Sequence, residues 1–195
     1  MPLIPRMSTE EIGLLDTCLN MCRGNYFEFG CGGSTYKAST YQSINHITSV
    51  DSSRSWIDVV SNEQPVCSAI KACTLKFIHI DINANDSNWG YPKDKSKLEN
   101  WSLYSRAINS ENMKYDLVLI DGRFRVSCAL HTLSSINPSS LVLIHDYTVR
   151  PQYHCVEKFY DKLLTVDTMV VLRKKSTLDA SLLQSMIQKY EHVCE

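Results

Sequence analysis

The sequence has no long hydrophobic run, no excess of either charge and no repeated or low-complexity segment. Its longest apolar runs, such as Leu117–Ile120 and Leu141–Ile144, are far shorter than the roughly 20 apolar residues that a membrane helix needs. The formal net charge of −1 gives no electrostatic reason to expect nucleic acid or an anionic membrane as a partner. The first residues, Met1–Arg6, lack the apolar core of a signal peptide. We therefore expect a cytoplasmic protein that binds neither membranes nor nucleic acid.

The cysteines also lack the spacing of a metal or redox motif. There are eight of them, and no two form a Cys-x-x-Cys pair. Cys18 and Cys22 would share one face of a helix, where such a pair usually serves packing. Because no secretory signal is visible, we predict reduced core thiols rather than disulfides or a zinc site. The cysteines are Cys18, Cys22, Cys31, Cys67, Cys73, Cys128, Cys155 and Cys194.

One segment, Asn25–Thr35, carries an acid followed by a cluster of glycines. Glu28 lies two residues before Gly30, and Gly32 and Gly33 follow. Glycines let a backbone turn tightly and approach a ligand closely, and the helix that starts next offers unpaired N–H groups. A dinucleotide-binding fingerprint would have a third glycine where this chain has Thr35. An acid beside the turn suits a cationic ligand, so the segment favours S-adenosylmethionine (SAM) over NAD.

The rest of the sequence alternates short apolar strands with helical patterns. A chain of 195 residues with 44% hydrophobic residues is long enough for one domain and short for two. We expect one domain: an N-terminal helix (1–24), a core (25–172) and a C-terminal helix (176–195). The predicted strands are Tyr26–Phe29, Ile47–Val50, Leu75–Ile80, Asp116–Ile120, Leu141–Ile144 and Val166–Leu172. The predicted helices include 34–43, Arg54–Ser61, Pro65–Cys73, Glu99–Asn109, Arg125–Ile136, Gln152–Leu163 and Leu178–Val193.

This alternation predicts an α/β fold, a three-layer, doubly wound, mostly parallel sheet with helices on both faces. Ligands of such sheets bind beyond the carboxyl ends of the strands. Acids follow or end five successive predicted strands, and a histidine accompanies the last. Single acids there are common turn residues, but together they indicate a polar ligand crevice. They are Glu28, Asp51, Asp81, Asp121 and Asp146, with His145.

Over about residues 25–172 the chain resembles the class I SAM-dependent methyltransferases. Their first-strand motif, acid-x-Gly-x-Gly, is matched by Glu28-Phe-Gly30-Cys-Gly32. The resemblance implies that the acid ending the second strand binds the ribose hydroxyls and that the acid after the third accepts from adenine. It also implies an antiparallel last strand. The implied cofactor-binding residues are Glu28, Gly30, Cys31, Gly32, Gly33, Ser34, Asp51, Asp81 and Asp121.

The later motifs are similar to those of small-molecule O-methyltransferases of the catechol and macrocin types. In those enzymes the acids after strands four and five hold a magnesium ion, which Asp121 and Asp146 would do here. The chain departs from both types at His145 and Tyr147, and Phe124 replaces a lysine base. The sequence therefore leaves open whether a divalent metal binds to these acids. The alternative is that both acids only hydrogen-bond local backbone.

His145 is the candidate general base, because its ordinary pKa near 6.5 suits proton removal at neutral pH. Asp121 or Asp146 would orient it. The alternative is that His145 only caps the end of its strand. The three residues together form the predicted catalytic set.

The segment between residues 82 and 98 is polar and irregular, and we predict that it folds over the crevice as a lid. Trp89 and Tyr91 on this loop, with Tyr147, are the candidate substrate contacts, and Trp101 and Tyr104 belong to the same region. The alternative for the loop aromatics is that they only pin it to the domain. Three arginines would recognise an anionic substrate group, unless they are simply solvated. They are Arg123, Arg125 and Arg150.

We therefore expect a SAM-dependent methyltransferase that acts on a small molecule, with oxygen as the expected methylated atom. Two other functions stay open. One is methyl transfer to a protein or nucleic acid, and the other is a non-catalytic relative that keeps the pocket as a binding module. The N-terminal and C-terminal helices would either cover the sheet or form the contact of a homodimer, and the sequence does not decide between the two.

Overall fold

The protein was analysed as a computed structural model, which describes residues 3–194. Met1, Pro2 and Glu195 lie outside the described residues, and with them the first two positions of the predicted N-terminal helix and the last position of the predicted C-terminal helix. The helices are α1 (Thr9–Met21), α2 (Gly33–Ala38), α3 (Arg54–Ser61), α4 (Gln64–Lys71), α5 (Leu98–Arg106), α6 (Arg125–Thr132) and α7 (Ala180–Tyr190). The strands are β1 (Asn25–Phe29), β2 (His46–Asp51), β3 (Leu75–His79), β4 (Ala84–Asn85), β5 (Tyr91–Pro92), β6 (Tyr115–Ile120), β7 (Ile136–Ile144), β8 (Tyr160–Val166) and β9 (Met169–Lys174).

Seven strands form one sheet in the order β3-β2-β1-β6-β7-β9-β8. The first five in this order pair in parallel, and β9 runs antiparallel to both β7 and β8. The predicted fold class is thus confirmed, including the reversed direction of the last strand. The short strands β4 and β5 form a separate hairpin that leaves the sheet after β3.

Helices cover both faces of the sheet, which explains why its strands are apolar without interruption. Alternate side chains of one strand belong to different cores: Val118 and Ile120 lie in one cluster, and Leu117 and Leu119 lie in the other. All four are buried. Burying a side chain of this kind stabilises the fold by about 1.5–3 kcal/mol. The sheet is therefore a rigid base for whatever lies at the ends of its strands.

The N-terminal helix α1 begins at Thr9, within the predicted range 1–24. Ser8 is its N-cap and accepts a hydrogen bond from the N–H of Glu11 at 3.1 Å, while the Glu11 carboxylate accepts from the N–H of Ser8 at 2.9 Å. This reciprocal capping box satisfies two N–H groups that the first turn leaves unpaired. It also fixes the Glu11 side chain, which is buried.

Two predicted helices are wrong in extent. The helix predicted over Arg125–Ile136 ends at Thr132, and β7 begins at Ile136, before the predicted strand Leu141–Ile144. Ile136 pairs with Tyr115, and the register then jumps to Leu117 opposite Leu141, so the intervening residues form an irregular bulge. Likewise, the helix predicted over 34–43 ends at Ala38.

The helix predicted over Gln152–Leu163 does not exist. Pro151–Lys158 forms a 3₁₀ helix, and the chain continues as β8, the edge strand that the sequence did not predict. The hydroxyl of Tyr160 donates to the carbonyl of Ala129 at 2.7 Å, which holds the start of β8 against α6. Asp167, with φ of +48°, makes the tight turn from β8 into β9.

The cysteines are not all core thiols, so this part of the prediction is wrong. Three are buried, four are partly buried and Cys73 is exposed. Trp101 and Tyr104, predicted to line the substrate region, instead pack in the core against Phe124 at ring-centroid distances of 5.5 and 5.8 Å. Between Leu3 and Cys194 no helix combines the length and the apolar character that crossing a bilayer requires.

Candidate functional site

The parallel strands bring their carboxyl ends to one edge of the sheet, and most of the predicted site residues lie there. Asp51 is the last residue of β2, and Asp121 directly follows β6. Asp81 comes two residues after β3, and Asp146 two residues after β7. The structure therefore gathers four of the five strand-end acids at one edge. The fifth, Glu28, lies within β1 and is described separately.

The glycine loop after β1 is held between the ends of β2 and β6. The N–H of Gly30 donates to the carbonyl of Val50 at 2.8 Å, and the N–H of Asp121 donates to the carbonyl of Phe29 at 3.0 Å. Gly30 has φ of +91°, and a Cβ there would lie 2.9 Å from the backbone nitrogen of Gly122. Only glycine fits this position, both for its backbone conformation and for the close approach.

Glu28 lies beneath this loop and is fully buried. Tyr26 donates to one carboxylate oxygen at 2.9 Å, and the Thr35 hydroxyl donates to the other. The same hydroxyl accepts from the N–H of Gly32 at 2.9 Å. Burial raises the pKa of the Glu28 carboxyl to about 7, although its hydrogen bonds act in the opposite direction. Glu28 therefore supports the loop from inside, through the threonine that replaces the third glycine of a dinucleotide fingerprint.

Asp51 holds the same loop from its other side. Its Oδ2 accepts from the N–H of Cys31 at 2.9 Å, and its Oδ1 accepts from the N–H of Ser53 at 2.8 Å. Trp56 Nε1 donates to the carbonyl of Cys31 at 2.8 Å. Burial raises the pKa of the Asp51 carboxyl despite these hydrogen bonds. Asp51 and Trp56 thus both bind the backbone of the same loop residue, Cys31.

Asp81, by contrast, is largely exposed, with 53% of its side-chain surface accessible. Its Oδ1 accepts from the N–H of Asn83 at 2.9 Å, and Lys97 Nζ lies 3.8 Å from its Oδ2. Such a carboxylate can accept a further hydrogen bond without prior desolvation cost.

The acids after β6 and β7 are bridged by a buried guanidinium. Arg125, the first residue of α6, places Nη1 at 3.0 Å from Asp146 Oδ2 and Nη2 at 3.2 Å from Asp121 Oδ1. Its side chain is only 4% exposed. Arg150 adds a longer contact, with Nε at 3.7 Å from Asp146 Oδ2. The sequence had grouped Arg125 with residues that would recognise an anionic substrate, and the structure instead pairs it with these two acids.

His145 lies between two carboxylates. Its Nδ1 is 2.8 Å from Asp121 Oδ1, and its Nε2 is 3.3 Å from Glu11 Oε2 on α1. Burial lowers the pKa of this imidazole, but the hydrogen bond and charge of Asp121, with the charges of Asp146 and Glu11, raise it above the ordinary value overall. Glu11 itself is held by the N–H and the hydroxyl of Thr168, at 2.9 and 2.6 Å. The N-terminal helix is thereby attached to the edge that carries the site.

The structure was also tested against the magnesium ion that the resemblance implies. The two acids proposed to bind it already face the Arg125 guanidinium, and both also approach Nδ1 of His145, Asp121 at 2.8 Å and Asp146 at 3.9 Å. From Leu3 to Cys194 no group of three or more histidine, cysteine, aspartate or glutamate side chains is arranged to hold a metal ion. The donor set therefore does not fit a divalent metal.

The hairpin β4–β5 is attached to the edge by two cation–π contacts. Arg123 lies over the ring of Tyr91, 4.2 Å from its centroid, and Arg6 lies over Trp89 at 4.8 Å. Ser55 on α3 also donates to Asp86 of the hairpin at 2.8 Å. These contacts hold the hairpin against its neighbours, and its role as a lid stays a prediction.

The third predicted substrate contact, Tyr147, lies elsewhere. Its side chain is buried, its hydroxyl donates to Glu157 at 2.8 Å, and its ring stacks on His154 at 4.6 Å between centroids. Nothing in this arrangement supports a contact with a substrate. The contacts of Tyr147 with Glu157 and His154 instead hold the segment after β7 in place.

The N-terminal segment before α1 covers the glycine loop. A Cβ at Gly33 would collide with the backbone of Ile4 and Pro5, so the two segments are in direct contact. A cavity of about 230 Å³ does exist in the structure, but Cys18, Arg23 and Asp116 line it at the opposite, amino-terminal edge of the sheet. It is remote from every residue of the predicted site, so we assign it no role in the chemistry.

For three residues of the site, the sequence did not predict the contacts that the structure shows. Glu11 was not among the predicted site residues, and nothing local connects it with His145, which is 134 positions away. Arg125 follows Asp121 by four residues, but the two do not share a helix, because α6 begins at Arg125. Thr35 was noted only as the missing glycine.

Together the sheet order, the reversed strand β9, the glycine loop after β1 and the acid ending β2 define the class I methyltransferase fold. Among solved structures, the chain is similar to a methyltransferase-like protein from Silicibacter pomeroyi. The two share 26% sequence identity over 97% of each chain, with a TM-score of 0.80.

Two more distant structures show the same fold. An O-methyltransferase from Bacillus cereus in complex with S-adenosylhomocysteine (SAH) has a TM-score of 0.54 and 12% identity over 88% of this chain and 84% of the other. The N-methyltransferase NodS from Bradyrhizobium japonicum, in complex with SAH, has a TM-score of 0.52 and 10% identity over 85% and 87%. No protein-family profile matches the sequence, and comparison with curated proteins finds no match.

Proposed function

We infer that the protein is a SAM-dependent methyltransferase that acts on a small molecule, with oxygen as the methylated atom. The observation that carries this inference is the fold shared along 97% of both chains with the methyltransferase-like protein. The sheet edge supports it, because the chain places a glycine loop and an acid at the ends of β1 and β2, where ligands of such sheets bind.

The residues at β1–β3 suit the positive charge and the polar groups of SAM. The loop Gly30–Ser34 and Asp51 would hold the methionine and ribose parts, and the exposed carboxylate of Asp81 would accept from the adenine amino group. When bound, SAM supplies a methyl group on a positively charged sulfur. The fit is supported by the carboxylate of Asp51, which contacts the loop backbone at Cys31 and faces no arginine or lysine among the ion pairs of the described residues.

The proton of the acceptor hydroxyl would go to His145. The contact of Asp121 with Nδ1 favours the tautomer with its proton on that nitrogen, so Nε2 carries the lone pair in the neutral form. Nε2 now faces Glu11 at 3.3 Å, so the acceptor must replace this contact before His145 takes its proton. Asp121 keeps the ring oriented throughout, and both groups lie at one edge of the sheet.

The choice of a small molecule rests on the hairpin Ala84–Pro92. It lies over the edge and carries Trp89, which is 67% exposed, so it limits the size of an acceptor and offers it an aromatic surface. The choice of oxygen rests on the sequence resemblance after β6 and β7. The relatives of known fold include both an O- and an N-methyltransferase, so the fold leaves the atom open.

Calorimetric titration with SAM and SAH tests the proposal. We expect both to bind the folded protein at one site per chain. Circular dichroism of the same sample provides the control for folding. A folded sample that binds neither ligand would refute the proposed function.

A non-catalytic binding module is the second candidate, and one observation favours it: both nitrogens of His145 face carboxylates. Replacement of His145 by Ala distinguishes the two. In an enzyme the variant loses turnover of an acceptor found by screening and keeps its affinity for SAM. In a module, SAM binds and no hydroxyl acceptor in the screen is methylated by the wild type.

A further inference from the structure

We propose that Arg125 is a built-in positioning cation that takes the place of a divalent metal between Asp121 and Asp146, so that the site works without metal. The proposal deepens the proposed function in that it concerns the same edge of the sheet. Its evidence is independent of SAM, because it concerns only the residues after β6 and β7.

The first step is the geometry of the guanidinium. Nη1 contacts Asp146 Oδ2 at 3.0 Å, and Nη2 contacts Asp121 Oδ1 at 3.2 Å. One group thus bridges two carboxylates that belong to the ends of neighbouring strands. A metal shared by the two acids would need to do the same, and the bridging position is already filled.

The second step is the number of donors. A guanidinium has five N–H groups. Besides the two carboxylates, Nε donates to the carbonyl of Gly122 at 3.0 Å, Nη1 donates to that of His145, and Nη2 donates to that of Asp121 at 3.2 Å. Four hydrogen bonds and the ion-pair contact of Nη2 with Asp121 Oδ1 therefore tie the guanidinium to five oxygens of the protein. Arg125 thus acts by positioning the two strand ends.

The third step is burial. The Arg125 side chain is 4% exposed, whereas Arg150, which also approaches Asp146, is 31% exposed. A buried arginine that leaves its site must abandon five acceptors and expose two carboxylates to each other. The guanidinium also keeps its charge at every physiological pH. It is therefore a fixed cation and does not exchange with ions from solution.

The fourth step is the charge balance at this edge. The two acids of the bridge are Asp121 and Asp146, and the guanidinium groups facing them are Arg125, which contacts both, and Arg150, which lies 3.7 Å from Asp146. Two negative charges meet two positive ones. A divalent ion would add two positive charges to a balanced group and would find few of the hard oxygen ligands it prefers.

The test is a titration of the wild-type protein with Mn²⁺, followed by NMR without SAM. A bound Mn²⁺ broadens the signals of nearby amides. We expect no selective broadening of the amides at 121–122 and 145–147 at Mn²⁺ concentrations up to about 1 mM, which already covers weak protein sites. Selective broadening of these amides at Mn²⁺ concentrations below about 1 mM would overturn the proposal. This measurement uses only the wild-type protein.

Replacement of Arg125 by Gln sharpens the test. The variant frees both carboxylates, so we expect it to gain an Mn²⁺ site at the same amides, and the additional replacement of Asp146 by Asn to remove this site. A folded R125Q protein that gains no site would contradict the proposal, since a purely structural arginine predicts that result. If R125Q does not fold, the wild-type titration alone decides. Failure of SAM binding would refute the proposed function and leave these results unaffected.

Discussion

The acids at the carboxyl edge of the sheet are stabilised in two different ways. On the side of β2 and β3, Asp51 and Asp81 accept hydrogen bonds from backbone N–H groups, and the nearest cation is Lys97, 3.8 Å from the exposed Asp81. On the side of β6 and β7, Asp121 and Asp146 face the guanidinium of Arg125 and the imidazole of His145. We call the first pair the amide-bound side and the second the ion-paired side.

The difference shows on which side the carboxylates keep a negative charge that a bound ligand can meet. Backbone N–H groups stabilise a carboxylate without neutralising it, so the amide-bound side keeps a negative potential for a cationic ligand such as SAM. On the ion-paired side the charges cancel within the protein, and the network joins α1, β6, α6 and β7. One side is suited to binding, and the other is suited to holding the edge in shape.

The largest effect that this comparison predicts is on stability. Replacement of Arg125 by Met leaves two acids without their buried cation and should lower the free energy of unfolding by about 3–5 kcal/mol. The matched replacement of Arg150, which is more exposed and farther from Asp146, should lower it by less than about 1 kcal/mol. Urea unfolding measures both. Equal losses in the two variants would show that the ion-paired side is not held by its buried arginine.

The second prediction concerns the support beneath the loop. Burial raises the pKa of Glu28 from 4.5 to about 7. The folded protein therefore binds a proton more tightly there than the unfolded chain does, so this contribution is present below pH 4.5 and is lost as the pH rises to about 7. The loss amounts to about 3 kcal/mol, from roughly 2.5 pKa units at 1.36 kcal/mol each.

Replacement of Glu28 by Gln should remove this dependence. We expect the stability difference between wild type and E28Q to shift in favour of the variant by that amount between pH 4.5 and 7, as measured by urea unfolding at several pH values. A constant difference across this range would show that Glu28 is ionised in the folded protein at all these pH values.

The third prediction concerns binding at the amide-bound side. Replacement of Asp51 by Asn should weaken SAH binding by about 10- to 100-fold, because a charged acceptor typically contributes about 1.5–3 kcal/mol to hydrogen bonds. Replacement of Asp81 by Asn, at an exposed position, should weaken it by less than about tenfold. Calorimetry measures both affinities. An unchanged affinity in D51N would exclude the end of β2 from the ligand site.

The smallest effect is expected where α1 meets the ion-paired side. The pKa of His145 is raised above 6.5. Its contribution to stability is therefore complete below pH 6.5 and is lost as the pH rises through the higher folded value. Replacement of Glu11 by Gln removes one of the charges that raise the pKa, so the NMR titration midpoint of His145 should fall. An unchanged midpoint would show that Glu11 and His145 do not interact.

Much of the fold could be predicted from the sequence, because apolar strands buried on both faces are easily recognised. The errors arose where the apolar spacing fits a helix but tertiary pairing decides otherwise. Val156, Phe159, Tyr160 and Leu163 follow helical spacing, yet the chain becomes β8 at Tyr160 because β9 pairs with it. No local signal distinguishes these outcomes.

The site shows the same limit. The positions of Asp51 and Asp121 at strand ends follow from local sequence order. The bridge made by Arg125 depends on the pairing of β6 with β7, and the contact of Glu11 with His145 depends on how α1 packs. Sequence alone therefore predicts which acids reach the edge and does not predict which of them are neutralised there.

The most direct test of the account is an NMR titration of backbone amides with SAH. The account predicts large shifts for Cys31 and Ser53, whose N–H groups bind Asp51, and smaller shifts for Arg125 and His145 on the ion-paired side. Saturating SAH that leaves the amides of 30–34 and 51–53 unchanged, in a folded protein, would contradict it.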